Sequence, residues 1–142
     1  MSIRFFFVLV VSCLFCQANA QTCHVKVIVK GVKTAQGKVR MGVYTDGPDF
    51  FKKPVKDGYI IIKNTKDSFQ FEFDIPYGDY AIAIYHDIDD NLDLNRNLFG
   101  FPSEPYGFTR TLKGLSMPTF ENLRESLKSP NKTLEVSLDT VF

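Results

Sequence analysis

The sequence has no tryptophan and only three cysteines. Cys13 and Cys16 fall within an apolar amino-terminal segment, so Cys23 stands alone in the remainder of the chain. A single cysteine cannot form an internal disulfide, even in an oxidising compartment. We therefore expect Cys23 to be a small buried side chain in the first strand, and we expect the fold to depend on its apolar core.

An excess of charge of one sign is also missing. The chain has 17 Lys and Arg against 16 Asp and Glu, which gives a formal net charge of +1. Without Arg4 of the amino-terminal segment, the net charge falls to about zero. Because no basic field exists to attract polyanions, we expect no nucleic-acid partner and no electrostatic attraction to anionic lipid.

The common catalytic signatures are absent as well. There is no Gly-x-Ser-x-Gly elbow, no paired-cysteine site, no phosphate-cradling glycine loop and no His-Glu-x-x-His. The groups left for catalysis are His86, the aspartates that follow it and Glu104, which suit a carboxylate- or histidine-based hydrolase. We predict that the protein is not an enzyme, and a hydrolase of that kind is the alternative.

Residues 1–20 have the pattern of a secretory signal peptide. Arg4 is followed by an apolar run, Phe5–Phe15, and the segment ends in the small-residue tripeptide Ala-Asn-Ala. The run is shorter than the roughly 20 apolar residues of a membrane-spanning helix. We expect removal of this segment and a periplasmic or extracellular mature chain, 21–142, without a transmembrane helix. A lipoprotein lipidated at Cys13 is the alternative.

Alternation of apolar and polar residues dominates the mature region, which has the size of one domain. This period of two is typical of half-buried strands, whereas Tyr80–Tyr85 is apolar on both faces and predicts a central strand. The strand-like segments are Thr22–Lys30, Val39–Val43, Gly58–Ile62, Phe69–Ile75, Tyr80–Tyr85 and Leu134–Leu138. The sequence predicts one all-β domain over 21–142, an antiparallel β-sandwich of immunoglobulin-like or prealbumin-like type with roughly seven strands.

Three connections carry more specific expectations. The short link between the first two strands predicts a hairpin. Thr119 and the helical spacing of the apolar residues after it predict at most one short helix, near residues 119–127. Asn131-Lys132 has the composition of a turn.

The segment after the central strand, residues 86–97, places an oxygen-bearing side chain at every second residue. Calcium takes 6–8 such oxygen ligands, but Leu92 and Leu98 stand where an EF-hand needs a glycine and a bidentate acid. Structural Asx turns are the alternative explanation, although only Arg96 is near in sequence to offset the crowded carboxylates. The candidate calcium ligands are Asp87, Asp89, Asn91, Asp93, Asn95 and Glu104.

The following segment is rich in aromatic residues and is stiffened by two prolines, Pro102 and Pro105. Such an arm can either present aromatic groups to a ligand or cap the open end of a sandwich. His86 can either contribute to the ligand site or bond to the loop backbone. The candidate ligand-binding residues are His86, Phe99, Phe101, Tyr106 and Phe108.

Four motifs together carry a family resemblance: His86-Asp87, Asp93-x-Asn95, Gly-x-Pro-x-Glu-Pro-Tyr-Gly-Phe over 100–108, and Pro-Thr-Phe-Glu over 118–121. They resemble the bacterial family called domain of unknown function 2141, which consists of small exported proteins. The resemblance implies export, a β-rich domain and no established activity. It favours a loop or strand entry at 118–121, and it makes Asp93 the loop aspartate that best fits the family pattern, although the glycine usual in that loop is missing here.

These observations predict an exported binding or accessory module with an unknown glycan, peptide or envelope partner and calcium as its cofactor. The alternative is a purely structural envelope protein whose loop only stabilises its own fold. Exposure of Phe99, Phe101 and Tyr106 as a patch favours binding, and burial as a cap favours the structural role.

Overall fold

The computed structural model describes residues 21–65, 69–112 and 117–140. The predicted signal peptide, residues 1–20, and the lipidation alternative at Cys13 lie outside the described residues. The elements in chain order are β1 (Thr22–Lys30), β2 (Lys38–Tyr44), β3 (Lys56–Ile61), β4 (Phe69–Pro76), β5 (Gly78–Asp87), β6 (Tyr106–Phe108), α1 (Phe120–Leu123), β7 (Arg124–Leu127) and β8 (Asn131–Ser137).

The strands form two sheets. One has three strands in the order β4-β1-β8, and the other has five, in the order β3-β2-β5-β6, with β7 pairing β5 beside β6. This confirms the predicted all-β sandwich, with eight strands in place of about seven. The described strands pair in an antiparallel manner except for β1 and β8, which run parallel.

Apolar and polar residues alternate along the strands, so the apolar side chains of both sheets point into the space between them and form the core. On β1, Val25 and Val27 are completely buried and pair across the strands with Phe73 and Phe71 of β4. Val39 of β2 and Ile84 of β5 supply the facing side from the larger sheet. Full burial of a side chain of this size contributes about 1.5–3 kcal/mol, so this interface supplies the main stabilisation of the fold.

The predicted hairpin between the first two strands is wrong. β1 lies between β4 and β8, while β2 lies between β3 and β5 in the other sheet. Alternation shows which face of a strand is buried, but two strands that face each other across a core have the same alternation as two hydrogen-bonded neighbours. The link 31–37 therefore crosses from one sheet to the other.

Gly37, at the end of this link, is packed directly against the end of β5. Its φ is +70°, and a Cβ atom there would collide with the backbone oxygen of Asp87. Only glycine permits both this conformation and this close approach. The link is therefore held beside the residue that begins the acidic loop.

The last third of the chain differs most from expectation. Thr119 caps α1, since its hydroxyl accepts from the Asn122 amide at 3.3 Å, but the helix has only four residues and continues directly into β7. The expected turn at Asn131-Lys132 is instead the start of β8. Within the part of the chain that the structure describes, no helix is both long and apolar enough to cross a membrane.

Candidate functional site

Asp87 ends β5 and is completely buried. Its carboxylate accepts from Arg40 Nε at 2.5 Å and from the backbone amides of Asn91 and Leu92 at 3.0 and 3.2 Å. Arg40 belongs to β2, which pairs with β5 and places Arg40 opposite Tyr85. The neighbouring strand therefore supplies the charge that compensates the first acid of the loop.

Asp90 is held by the same strand. It accepts from Lys38 Nζ at 2.6 Å and from Arg40 Nη2 at 2.9 Å. The hydrogen bond from Lys38, together with its charge and that of Arg40, lowers the pKa of Asp90. Arg96, the cation near the acids in sequence, donates to the carbonyl of Gly100, and it is Lys38 and Arg40 that contact the acids.

Glu104 closes the other end of the loop. It is buried, and its two oxygens accept from the backbone amides of Ile88 at 2.8 Å and Asn95 at 3.0 Å. The Glu104 side chain thus connects the start of the loop, at Ile88, with Asn95 farther along it. A carboxylate that accepts two backbone amides makes strong, charge-assisted hydrogen bonds, so Glu104 fixes the loop geometry.

The exposed part of the loop is bonded internally by its amides. Asn91 Nδ2 donates to Asp89 at 3.1 Å and to Asn95 Oδ1 at 2.7 Å, and Asn95 Nδ2 donates to Asp89 at 2.9 Å. The Asn91 side chain also accepts from the Asp93 backbone amide at 2.8 Å, which is an Asx turn. These contacts are those of a loop that stabilises itself.

Three of the candidate metal ligands come together. Asp87, Asp89 and Glu104 can each offer one oxygen such that all three lie within 4.8 Å of one another. Asp93 is exposed and is not a member of this cluster. Each carboxylate in the cluster already accepts at least two hydrogen bonds, so an oxygen-preferring cation would bind through the remaining lone pairs.

His86 and Asp87 are adjacent in β5, and their side chains point to opposite faces of the sheet. His86 is buried, and its Nε2 donates to the Gln36 carbonyl at 2.7 Å, while Nδ1 has no partner. Gln36 lies in the link between β1 and β2. His86 and Asp87 therefore do not converge on a common cleft, as an acid–base pair would require.

The aromatic arm divides into two parts. Phe99 and Phe101 are 85% and 44% exposed. Tyr106 and Phe108 are half-buried in β6, where they pair with Tyr85 and Ala83 on the outer face of the five-stranded sheet. The four aromatic residues therefore do not form one cap.

On the outer face of this sheet, six rings of described residues contact one another in series, and we call these six the outer aromatic cluster. Successive ring centroids are 4.1–6.1 Å apart. All six side chains are partly exposed. The ring of Tyr44 lies directly over Gly42, where a Cβ atom would collide with it. The members of the cluster are Tyr44, Phe50, Phe51, Tyr106, Phe108 and Phe120.

Phe51 is strained within this cluster. Its φ is 62°, in the left-handed region where a bulky side chain costs about 1–2 kcal/mol. Its ring lies 4.1 Å from Phe50 and 5.2 Å from Tyr44. Strain of this kind persists only where surrounding contacts enforce it, and it is concentrated at functional sites.

Tyr85 connects the cluster side of the sheet to the acidic loop. Its hydroxyl donates to the Leu92 carbonyl at 3.0 Å. Burial raises the pKa of Tyr85 to about 12, so this donor keeps its proton throughout the ordinary pH range. The loop is thereby anchored on the outer face of β5.

Sequence reasoning missed Lys38, Arg40, Tyr44 and the role of Phe50 and Phe51. The alternation in β2 shows that Arg40 and Tyr44 face away from the core. It does not show which strand lies beside β2, and this neighbour determines what an outward side chain contacts.

The comparisons with known proteins give one finding. A family model described as "Uncharacterized protein conserved in bacteria (DUF2141)" matches residues 27–135. The matched region includes β2 to β7, the acidic loop and all members of the outer aromatic cluster. No curated protein and no solved structure matches the chain.

Proposed function

The chain belongs to the bacterial family of uncharacterized proteins DUF2141, and from this premise we propose that it is an exported, non-catalytic binding domain. Its ligand surface is the outer aromatic cluster, and its partner is a glycan or a peptide of the cell envelope. The signal-like pattern of residues 1–20 supports export. The opposite orientations of His86 and Asp87 support a role without catalysis.

One observation carries this proposal: six contacting rings lie partly exposed on the outer face of a sheet. Exposed apolar patches on soluble domains commonly mark interaction sites. Tyrosine and phenylalanine offer large rigid surfaces that stack on the flat apolar faces of sugars and side chains. The cluster is thus a platform of the right chemistry for either ligand class.

Polar groups border the platform beside β3. Tyr59 is exposed, with Lys38 Nζ 5.1 Å and the Arg40 guanidinium carbon 5.5 Å from its ring centroid. Tyrosine and arginine are enriched in protein interfaces. A ligand that stacks on the rings can therefore also meet hydrogen-bond donors at the border of the cluster.

The substitution Phe51→Gly tests whether the outer aromatic cluster binds the ligand. The substitution removes one ring of the cluster but relieves the left-handed strain, and these effects offset each other to within about 1 kcal/mol. We expect wild-type residues 21–142, which hold every strand, to co-sediment with insoluble cell-wall glycan or to select ligands from a displayed peptide library. Phe51→Gly should lose at least about tenfold in affinity while its urea unfolding changes little.

Val55→Ala is the matched control, since Val55 is exposed in the same part of the chain and belongs to no ring contact. It should bind as wild type does. If neither ligand class binds wild type, or if Phe51→Gly binds unchanged, the platform proposal is wrong.

A calcium site is the second candidate function, favoured by the convergence of Asp87, Asp89 and Glu104. A site that is bound only in the folded state adds about 2.7 kcal/mol at 100 times the dissociation constant. We expect the melting temperature of residues 21–142 to be several degrees higher in millimolar calcium than in EDTA.

Two loop variants sharpen this calcium test. Asp89→Asn removes an exposed carboxylate of the cluster and should abolish the rise in melting temperature. Asp93→Ala removes the aspartate that the family pattern favours but that lies outside the cluster, and it should keep the rise. An equal melting temperature of wild type in calcium and EDTA would exclude the site and leave the platform proposal untouched.

A further inference from the structure

The acidic loop projects a small hairpin whose end is apolar. Arg96 pairs with Pro102 in an antiparallel bridge, and the Ser103 amide donates to the Asn95 carbonyl at 2.8 Å. We call Leu98, Phe99 and Phe101, at the end of this hairpin, the apolar tip. We propose that the apolar tip inserts into the surface of a lipid bilayer.

The apolar tip is exposed to solvent. Leu98 is 102% exposed and the adjacent Phe99 is 85% exposed. Neither side chain is part of the outer aromatic cluster or of the core. Two consecutive large apolar side chains held in water are unfavourable unless the tip meets an apolar environment.

The backbone amides at the end of the hairpin are hydrogen-bonded within the hairpin itself. The side chain of Asn97 accepts from the amides of Phe99 and Phe101 at 3.0 and 3.1 Å. The amide of Gly100 donates to the Asn97 carbonyl at 2.9 Å, and the Asn97 amide donates to the Phe101 carbonyl at 2.8 Å. Four N–H groups are thus satisfied inside the hairpin.

This internal bonding bears on the nature of the partner. A turn in water can leave its amides to the solvent, but in hydrocarbon each unsatisfied backbone group costs several kilocalories per mole. The hairpin end satisfies four of its amides internally, two through the Asn97 side chain and two through backbone carbonyls, which lowers the cost of placing it in hydrocarbon. The arrangement therefore favours a lipid environment over a polar protein surface.

The charge next to the apolar tip agrees with a lipid surface. Arg96 adjoins the tip, donates to the Gly100 carbonyl at 3.0 Å and is exposed. A side chain of this type can keep its charge at the phosphate level while the apolar tip lies deeper.

The proposed contact is reversible. Two or three inserted side chains bury less apolar area than a single acyl chain, which by itself gives only marginal membrane binding. The chain has a net charge near zero, so insertion does not depend on anionic lipid. The tip would orient the domain on a membrane, and this inference does not rest on the outer aromatic cluster.

The lack of tryptophan provides a clean test. Phe99→Trp, made in residues 21–142, introduces the only tryptophan of that protein. With phosphatidylcholine vesicles its emission should shift to shorter wavelength, and brominated lipids should quench it. Tyr59→Trp is the matched control: position 59 is 57% exposed but lies on β3, outside the hairpin, and its emission should stay that of a residue in water.

Leu98→Asp in the Phe99→Trp background should raise the lipid concentration for half-maximal shift about tenfold or more. Circular dichroism should show an unchanged fold, because both positions are exposed. The inference is overturned if the Phe99→Trp emission does not change when vesicles are added. It is also overturned if the emission shifts only when the vesicles contain phosphatidylglycerol, since binding would then depend on the negative charge of the lipid. It is overturned as well if vesicle-bound protein is not quenched by brominated lipid, which would show that the protein binds the vesicle through another surface.

Discussion

Asp87→Ala is expected to destabilise the fold by about 3–5 kcal/mol, because breaking a buried ion pair leaves Arg40 with the partly exposed Asp90 as its remaining anion. The Arg40 side chain is 17% exposed, so it would lose its closest anion while still largely excluded from water. The amides of Asn91 and Leu92 would also lose their acceptor. Urea unfolding of residues 21–142 measures the loss.

Asp93→Ala is the control for this substitution, since it removes an aspartate of the same loop that is exposed and outside the ion pairs. A surface change of this kind should alter stability by no more than about 0.5 kcal/mol. A loss below about 1 kcal/mol for Asp87→Ala would show that Asp90 or water compensates Arg40 without Asp87, and the expected role of the buried pair would be wrong.

A double substitution separates the charge effect from the loop effect. In Asp87→Ala/Arg40→Leu the cation that lost its closest anion is gone and Asp90 keeps its bond from Lys38, whereas the amides of Asn91 and Leu92 still lack their acceptor. We expect the double variant to be more stable than Asp87→Ala by about 1 kcal/mol or more. If it is less stable, the loop amides and not Arg40 account for the role of Asp87.

Much of the sandwich could be predicted because its strands alternate cleanly. Val25 and Val27 of β1, and Phe71 and Phe73 of β4, are buried every second residue as the pattern requires. The order of the strands could not be predicted in this way. The parallel pairing of β1 with β8 joins residues more than a hundred positions apart, and nothing in either strand marks its partner.

Short strands escaped prediction for a different reason. β6 has three residues and β7 has four, which is too few for alternation to emerge from the background. Both exist because β5 offers them an edge: Tyr106 pairs with Tyr85, and Arg124 pairs with Ala81. Tertiary context, not local sequence, determines these two elements.

The candidate site, too, could be predicted from the sequence only in part. The composition of residues 86–97 predicted a calcium loop, with structural Asx turns as the alternative; the structure contains an Asx turn at Asn91, and calcium binding stays a prediction. The compensating cation could not be found from spacing, because Arg40 lies 47 residues from Asp87 and reaches it only through the pairing of β2 with β5. Prolines indicated a stiff arm, but they could not show that Phe99 would project while Tyr106 joined a sheet.

The two proposed surfaces are connected through the two buried acids. The hairpin with the apolar tip begins after Asp87 and ends before Glu104, and β6 with its cluster residues begins at Tyr106. The direction of the tip relative to the sheet therefore depends on how firmly Asp87 and Glu104 hold the loop. Loosening either acid should change the position of the tip without altering the outer aromatic cluster itself.

Glu104→Gln is the variant that tests this dependence most directly. Glutamine retains one side-chain oxygen, but its amide nitrogen cannot accept the second backbone amide, and the negative charge is lost. We expect a loss of about 2–3 kcal/mol in urea unfolding, since hydrogen bonds to a charged group contribute more than neutral ones. The core should stay intact, because the hydrogen bonds that Glu104 accepts come from backbone amides of the loop.

Amide hydrogen exchange identifies where that loss occurs. In Glu104→Gln the amides of Ile88 and Asn95 should exchange faster relative to the global unfolding rate, while those of β1 should not. Glu121→Gln is the control: Glu121 is exposed, pairs with Arg124 three residues away and should change stability by about 0.5 kcal/mol or less. Equal protection of Ile88 and Asn95 in wild type and Glu104→Gln would mean that the loop holds its shape without this acid, and that the orientation of the apolar tip depends on Asp87 and its Arg40 partner alone.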